Sequence, residues 1–441
     1  MNTDTFYALS TPPGFSATAT VRISGPKSLQ TIKSLTNKKS ENFNPGVYRL
    51  SNIYKKNKKI LDKTIVVFFK KPVSYTGADM AEIHTHGNPI IISSLFKELD
   101  GLGLRLANPG EFTLTAFLNN KIDLVQAESV SALIAAKTED GVSLALNNSF
   151  GVASKNFKTI QNNIINVLAH IEYELDTDDT THLQTTLKQT HKNIIKIINK
   201  IKDLLENYSS AKSLIQGPRV AIVGKPNVGK STLFNYLLKD DRAIVTNTPG
   251  TTRDVLGELC NINGIHITLL DTAGLRETKN PIEKIGVEKS KTEKEKADLV
   301  LYVCDNEKHL KNTTKNTLAV FNKTDKLPKD TLLKLKKNHN SVNFVSAKSG
   351  AGFSKLKKAL HSSLTTNNKT QNMFIVSERQ KNILESVLNQ LIKAKKNTAP
   401  TELELVSFDL NTALNQFDQL LGKTTADDVL NVVFSGFCVG K

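Results

Sequence analysis

The sequence predicts a multidomain chain of mixed α/β and α class: an N-terminal α+β domain, then a helical domain into which a second α/β domain is inserted. Three observations predict it. A length of 441 residues suits three or four domains at about 100–200 residues each. Apolar residues recur at helical spacing in two separated stretches. Between those stretches, strand, loop and helix patterns alternate as a parallel sheet requires. The divisions fall at 1–118, 119–214, 215–368 and 369–441.

The first segment mixes β-rich runs, Thr18-Ala-Thr-Val-Arg-Ile-Ser24 and Thr64-Ile-Val-Val-Phe-Phe69, with turn clusters such as Pro12-Pro-Gly14 and Ser74-Tyr-Thr-Gly-Ala-Asp79. From about residue 119 the period lengthens. Ile160, Ile164, Leu168, Ile171 and Leu175, then Ile194, Ile198, Ile201 and Leu205, trace the apolar stripes of amphipathic helices. The acidic, then polar stretch 176–193 reads as a loop between them. At Arg219-Val-Ala-Ile-Val-Gly224 a strand opens the inserted α/β pattern, which runs to about residue 365. The helical period then returns with a Ser377-x-x-Gln380 capping box, a Gly422 stop and a second box, Thr425-x-x-Asp428.

Composition narrows the function. The chain carries 59 Lys+Arg against 42 Asp+Glu, a formal charge of +17, which favours anionic partners, nucleic acid first, although a generally Lys-rich surface gives the same sum. Neither a secretory leader nor an apolar run of membrane-spanning length is visible, so a soluble, cytoplasmic protein is expected. Cys260, Cys304 and Cys438 are odd in number and widely spaced, which argues against a disulfide framework and against a CxxC metal site. Apolar strand contexts make Cys260 and Cys304 core residues. His84 and His86 alternate on one strand face, but no third metal ligand follows at a suitable spacing, so packing or ligand contact is the better reading.

The chemistry concentrates in the inserted domain. Gly224-Lys-Pro-Asn-Val-Gly-Lys-Ser231 fits GxxxxGK[ST] between the strand Val220–Val223 and a helix pattern from Thr232. Such a loop wraps phosphates with backbone N–H groups, from Asn227, Val228, Gly229 and onward. Lys230 then neutralises β/γ oxygens and the Ser231 hydroxyl reaches Mg2+. Asp271, Thr272, Ala273 and Gly274 follow a second apolar strand, so that Asp271 can hold the metal through water and Gly274 can sense the γ-phosphate. Asn322, Lys323, Thr324 and Asp325 follow a third. The Asp325 carboxylate can accept from guanine N1–H and the N2 amine, a donor pair adenine lacks. Ser346, Ala347 and Lys348 match the loop that steadies guanine O6. Four ordered motifs at strand ends therefore predict a Ras-like P-loop domain that binds GTP. Leu275 stands where Ras-type enzymes carry a water-orienting glutamine, so hydrolysis must be organised otherwise. In the run Thr246, Asn247, Thr248, Pro249, Gly250, Thr251 and Thr252, Thr252 is the candidate Mg2+-binding threonine. Its hard oxygens also suit a monovalent cation.

With these motifs the chain resembles the tRNA-modification GTPases of the MnmE (TrmE) family, within the TrmE-Era-EngA-like GTPases. The resemblance spans essentially the whole chain: Thr11-Pro-Pro-Gly14, Val21-Arg-Ile-Ser-Gly25, Tyr75-Thr-Gly77, Asn108-Pro-Gly-Glu-Phe-Thr113, Ala116–Leu124 and the terminal Phe437-Cys-Val-Gly-Lys441. It implies a homodimer that works with the flavoprotein MnmG to place a 5-aminomethyl-type (carboxymethylaminomethyl) group on the wobble uridine of certain tRNAs, the one-carbon unit coming from a folate. It makes the N-terminal domain the site of dimerisation and of 5-formyltetrahydrofolate binding, with Arg22, Glu82, Lys121 and Lys441 at the folate-contacting positions. It further implies K+-assisted hydrolysis, with Asn227, Thr246, Thr248 and Thr251 at K+-ligand positions and Glu283 orienting the attacking water. Cys438 falls in the terminal motif, where a one-carbon-handling thiol and a buried structural cysteine both remain open. Two departures bear on folate: Gly14-Phe-Ser-Ala-Thr-Ala19 replaces a richer glycine run, and Val439 stands where isoleucine is usual. A ribosome-assembly GTPase acting as an RNA-binding switch is the alternative, though no KH-type GxxG loop is found. A membrane-linked GTPase is weakened by the lack of a basic amphipathic or lipidated terminus.

Overall fold

The computed structural model describes residues 4–38, 43–176, 183–241, 257–271, 297–310, 316–365, 374–396, 402–424, 426–437 and 439–440. The chain divides into two compact units, one of 1–131, 148–199 and 382–441, the other of 132–147 and 200–381.

In the first unit a six-stranded sheet has the order β3-β4-β5-β2-β1-β6. Its strands are β1 (Phe6–Leu9), β2 (Ser16–Ser24), β3 (Arg49–Tyr54), β4 (Ile60–Phe69), β5 (Met80–Gly87) and β6 (Arg105–Leu106). Alternation sets its two faces. Ala19, Val21 and Ile23 of β2 are buried, whereas Thr20 and Arg22 turn to the other side. Helices α1 (Ser28–Leu35) and α2 (Pro89–Gly101) supply Ile32, Leu95 and Leu99 to the same core. Asn88 caps α2 by accepting from Ile90 N–H at 2.8 Å, and Pro89 fills the first turn, where its missing donor costs nothing.

The helical part of this unit begins with α3 (Glu111–Leu118), earlier than the change of period suggested. It continues through α4 (Leu124–Ala135), α5 (Glu139–Ser149), α6 (Val152–Asp176) and α7 (Leu183–Glu206); α6 lies wholly in the first unit, whereas the division between the units falls within α4, α5 and α7. The loop expected over 176–193 is corrected: α7 is already helical at Leu183. Leu187 and Thr190 are buried in line with Ile194, Ile197 and Ile201, and a polar composition on the remaining faces hid that stripe. Leu175 is exposed, and Leu204 rather than Leu205 is the buried residue of the last turn.

After α12 (Glu378–Lys396), the helix α13 (Leu403–Leu421) buries Leu403, Val406, Leu410, Ala413, Phe417 and Leu420 at alternating three- and four-residue steps. That stripe packs on α6, where Gln161 donates to Asp418 Oδ1 at 2.9 Å. Gly422 ends α13 in the left-handed region, as expected. At the start of α12, Ser377 Oγ accepts from Gln380 N–H, but Gln380 returns its side chain to Val376 N–H, one residue short of the reciprocal box. The second box falls on Thr425, outside the described residues. Finally α14 (Asp427–Ser435) presents Leu430 and Phe434, which with Phe437 pack on Leu124 and Ala127.

The second unit holds a six-stranded sheet of order β12-β11-β10-β7-β9-β8: β7 (Arg219–Gly224), β8 (Gly257–Ile262), β9 (Ile265–Asp271), β10 (Leu299–Cys304), β11 (Thr317–Phe321) and β12 (Asn343–Phe344). All pairs are parallel except β8 with β9. The strands read as continuous apolar runs because helices α9 (Lys230–Asp241) and α11 (Phe353–Thr365) help cover the sheet, with Leu233, Leu237, Leu356 and Leu360 fully buried. The helix α10 (Lys329–Asn338) precedes β12. Cys260 and Cys304 are core residues, as the sequence indicated. A smaller cluster of Leu144, Ala211, Leu214 and Ile215, the last three from α8 (Tyr208–Gln216), completes the unit. Among the described residues no helix is long and apolar enough to cross a membrane.

Candidate functional site

The central strand β7 lies between β9 and β10 and runs straight into the glycine-rich loop, where a parallel sheet leaves a crevice at its carboxyl edge. Gly224 packs so tightly that a Cβ there would come within 2.2 Å of Val303 O. Asn227 and Gly229 adopt left-handed φ values of 64° and 91°, which turn successive N–H groups inward before α9 starts at Lys230. Lys230 curls back over the loop, donating from Nζ to Gly224 O and Lys225 O, each at 2.9 Å. Those carbonyls hold the ammonium at the mouth of a cradle whose other lining is backbone N–H. Ser231 and Thr232 stand exposed at the helix N-terminus, and the Ser231 oxygen is a hard donor suited to Mg2+.

Asn322, at the end of β11, joins three loops from a position only 2% exposed. Its Nδ2 donates to Val228 O at 2.9 Å and its Oδ1 accepts from Ala347 N–H at 3.0 Å. Lys323, at φ 61°, donates to Asn227 O and to Asp305 Oδ2, both at 2.6 Å. Ser346 Oγ donates to Asp325 Oδ1 at 2.6 Å and accepts from Ser349 N–H at 3.2 Å. The serine hydroxyl, helped by the charges of Lys348 and Lys326, keeps the Asp325 carboxyl below its usual range. It is therefore ionised and oriented, as an acceptor for two guanine donors must be.

Asn227, Val228, Gly229, Lys230, Asn322, Lys323, Asp325, Ser346 and Ala347 are thus gathered into one network although some 120 residues separate its ends. Asp271 ends β9 opposite Ile222 of β7, beside the loop. Asp305 was missed by sequence reading; its signal was its place directly after β10, the same strand-end position the other loops occupy. Thr246, Asn247, Thr248, Pro249, Gly250, Thr251, Thr252, Thr272, Ala273, Gly274, Glu283, Cys438 and Lys441 lie outside the described residues.

A second constellation lies in the first unit. Arg22 and Glu82 face each other across β2 and β5, with Arg22 Nε donating to Glu82 Oε1 at 2.7 Å. The His84 ring, with Nε2 3.4 Å from Glu82 Oε2, and the Arg22 guanidinium keep the Glu82 carboxyl below its usual range despite burial. The chain terminus comes to the same place. Gly440 O accepts from Ser10 Oγ at 3.3 Å and from Arg22 Nη1 at 3.5 Å, and a Cβ on Gly440 would meet Leu9 O at 2.5 Å. Gly440 was not among the expected site residues, since a contact across 418 positions has no local signal; for His84 the sequence offered packing or ligand contact. Lys121 instead donates to Pro72 O at 3.1 Å, and its stem lies against Gly77. His84 and His86 are engaged separately, by Thr20 and by Asp62, and no metal-holding cluster occurs among the described residues.

A glycine-rich phosphate loop, coupled through a buried asparagine to an oriented carboxylate at the end of a parallel sheet, defines a P-loop guanine-nucleotide-binding protein. Comparison with known proteins narrows that class. The model of the MnmE helical domain matches residues 124–438, and that of the GTP-binding protein TrmE N-terminus matches residues 5–121. The tRNA modification GTPase MnmE of Fervidobacterium nodosum is 40% identical over 461 residues, covering 100% of this chain and 98% of that protein. Those of Carboxydothermus hydrogenoformans and Aquifex aeolicus are 38% and 36% identical, covering 100% and 98% of this chain and 100% and 99% of theirs. The chain belongs to the MnmE family of tRNA modification GTPases and is a GTP-hydrolysing enzyme.

Proposed function

We propose that the chain hydrolyses GTP with K+ assistance and, as a cytoplasmic homodimer partnered by the flavoprotein MnmG, uses a folate-derived one-carbon unit to install the aminomethyl-type group on the wobble uridine of tRNA. The observation that carries the nucleotide half is the Asn322 bridge, which holds the phosphate loop and the guanine loops in register.

Asn227–Thr232, Asn322, Lys323, Asp325 and Ser346–Lys348 would hold the nucleotide, together with Thr246–Thr252 and Asp271–Gly274. Ser231 and Thr252 would bind Mg2+, and Asn227, Thr246, Thr248 and Thr251 would bind K+. The exposed Ser231 hydroxyl and the left-handed Asn227 fit those roles as oxygen donors at the loop's open side. Bound there, the cations supply positive charge where an arginine finger would otherwise act. Lys230 neutralises the β/γ oxygens and Glu283 orients the attacking water.

Arg22, Glu82, Lys121 and Lys441 would take the folate. Cationic side chains suit glutamyl carboxylates, Glu82 suits an amine edge, and the seating of Gly440 on Arg22 supports a role for the terminal residues there. Cys438 would handle the one-carbon unit. Leu50 on the edge strand β3, Tyr48 just before it and Ile65 on the neighbouring β4, all exposed, support self-association of the N-terminal domain. The charge of +17 supports a polyanionic tRNA substrate. The functional division proposed is 1–118, 119–214, 215–368 and 369–441, although by internal contacts 132–147 and 200–214 group with the α/β sheet.

The test is GTP turnover in KCl and in NaCl at equal ionic strength over a range of protein concentrations. A K+-specific acceleration that grows with concentration is expected. Equal rates would remove Asn227 and the 246–252 loop as a K+ site.

A further inference from the structure

The ends of α12 and α13 flank an open cavity of about 280 Å³ lined by Lys393, Lys396, Leu405, Phe408 and Asp409. That volume falls just below the range of small-ligand sites, about 300–1,000 Å³, a size that suits a single planar ring system. Phe408 and Leu405 are 69% and 54% exposed, although a helix of this amphipathic pattern ordinarily turns such residues inward. Asp409, by contrast, is 7% exposed. Among the described residues no donor hydrogen-bonds its carboxylate, and Lys393 is the charge it feels. Burial raises its pKa and the Lys393 charge works against that rise. Glu404 lies one turn before Phe408 but does not line the cavity.

An exposed aromatic face, two lysines and a buried acceptor form the chemistry that binds one unpaired nucleotide: stacking for the base, an acceptor for its donor edge, cations for the flanking phosphates. We infer that this cavity holds an unstacked nucleotide of the RNA substrate, anchoring tRNA on the helical part of the chain through residues that belong to neither the nucleotide site nor the folate-type site. The inference rests on tRNA being the substrate. A protein partner is disfavoured because the apolar patch is small and flanked by like charges on α12, where Lys393, Lys395 and Lys396 fill the last turn.

The experiment is a fluorescence-anisotropy titration of end-labelled tRNA onto the full chain at several salt concentrations, using wild type, Phe408→Ala and the double variant Lys393→Ala/Lys396→Ala. Circular-dichroism melting checks that each variant folds. Loss of the stacking surface should weaken binding about tenfold with the salt slope unchanged. Loss of both lysines should reduce the magnitude of the slope of log K against log salt by about 1.4, at roughly 0.7 per single-strand phosphate. Wild-type affinity and slope in both variants would overturn the inference while leaving the tRNA reading intact. Failure of the wild-type chain to bind tRNA at all would overturn both. Normal tRNA affinity in Phe408→Ala, coupled with loss of a self-associated species in sedimentation, would make the patch a protein interface and overturn the inference as well.

Discussion

Asn322→Ala tests the reasoning about the nucleotide site most directly. The substitution removes two buried hydrogen bonds, to Val228 O and from Ala347 N–H. A buried group left without its partner costs about 1–3 kcal/mol, so the pair amounts to roughly 2–6 kcal/mol. For a unit of about 150–250 residues, each kcal/mol shifts Tm by about 2–4 °C, which predicts a fall of roughly 4–24 °C. Gly229 sharpens the test, because a Cβ there would approach Asn322 Nδ2 to 2.4 Å while φ stays at 91°. Gly229→Ala alone should therefore cost backbone strain of about 1–2 kcal/mol plus the displaced Asn322 hydrogen bond. In the Asn322→Ala background only the strain remains, giving a coupling equal to the displaced hydrogen bond, about 1–3 kcal/mol. The assay is calorimetry of the full chain, following the transition that moves upward with GDP and so reports the nucleotide-binding unit, together with fluorescence titration of a labelled GDP. Strict additivity of the two substitutions, or an unchanged melting transition in Asn322→Ala, would refute the bridge as the element that couples the loops.

Four other outcomes are expected. Lys230→Ala should abolish GTP turnover, and a near-normal kcat would remove the phosphate-loop role of its ammonium. Cys438→Ser should spare GTPase activity but eliminate wobble-uridine modification, measured by nucleoside analysis of tRNA; normal modification would leave a structural cysteine. Because the Glu82 pKa is lowered by His84 and Arg22, its stabilisation is present above the ordinary carboxylate pKa and is lost as pH falls through the lowered value. Glu82→Gln should therefore reduce the urea midpoint at neutral pH and leave it unchanged in strong acid, whereas a pH-independent difference would contradict the ion-pair account. Thiol titration of the native chain should find at most one of three cysteines reactive, since Cys260 is fully buried and burial pushes the Cys304 thiol up to about 11. All three should react in denaturant; two fast thiols in the native state would contradict the core assignment.

The helices show where sequence patterns are legible. The stripes on α6 and α13 were readable because apolar side chains must recur on one face of a helix that packs. The start of α7 was not, because over 187–193 only Leu187 and Thr190 are buried and polar residues dominate the composition. The capping box at Ser377 was legible as a motif, yet the direction of the Gln380 side chain was decided by which backbone donor lay within reach.

The described part of the nucleotide site was legible in the sequence, since phosphate and guanine recognition depend on short loops whose spacing is set by local backbone geometry. What joins those loops was decided only by tertiary structure. Asn322 reaches across 94 positions to Val228, Gly440 lies on Arg22 from the far end of the chain, and Phe408 and Asp409 line a cavity with lysines from another helix. Residue type and spacing encode backbone conformation and burial along one element. Contacts between elements depend on how whole faces pack, and no local periodicity carries that information.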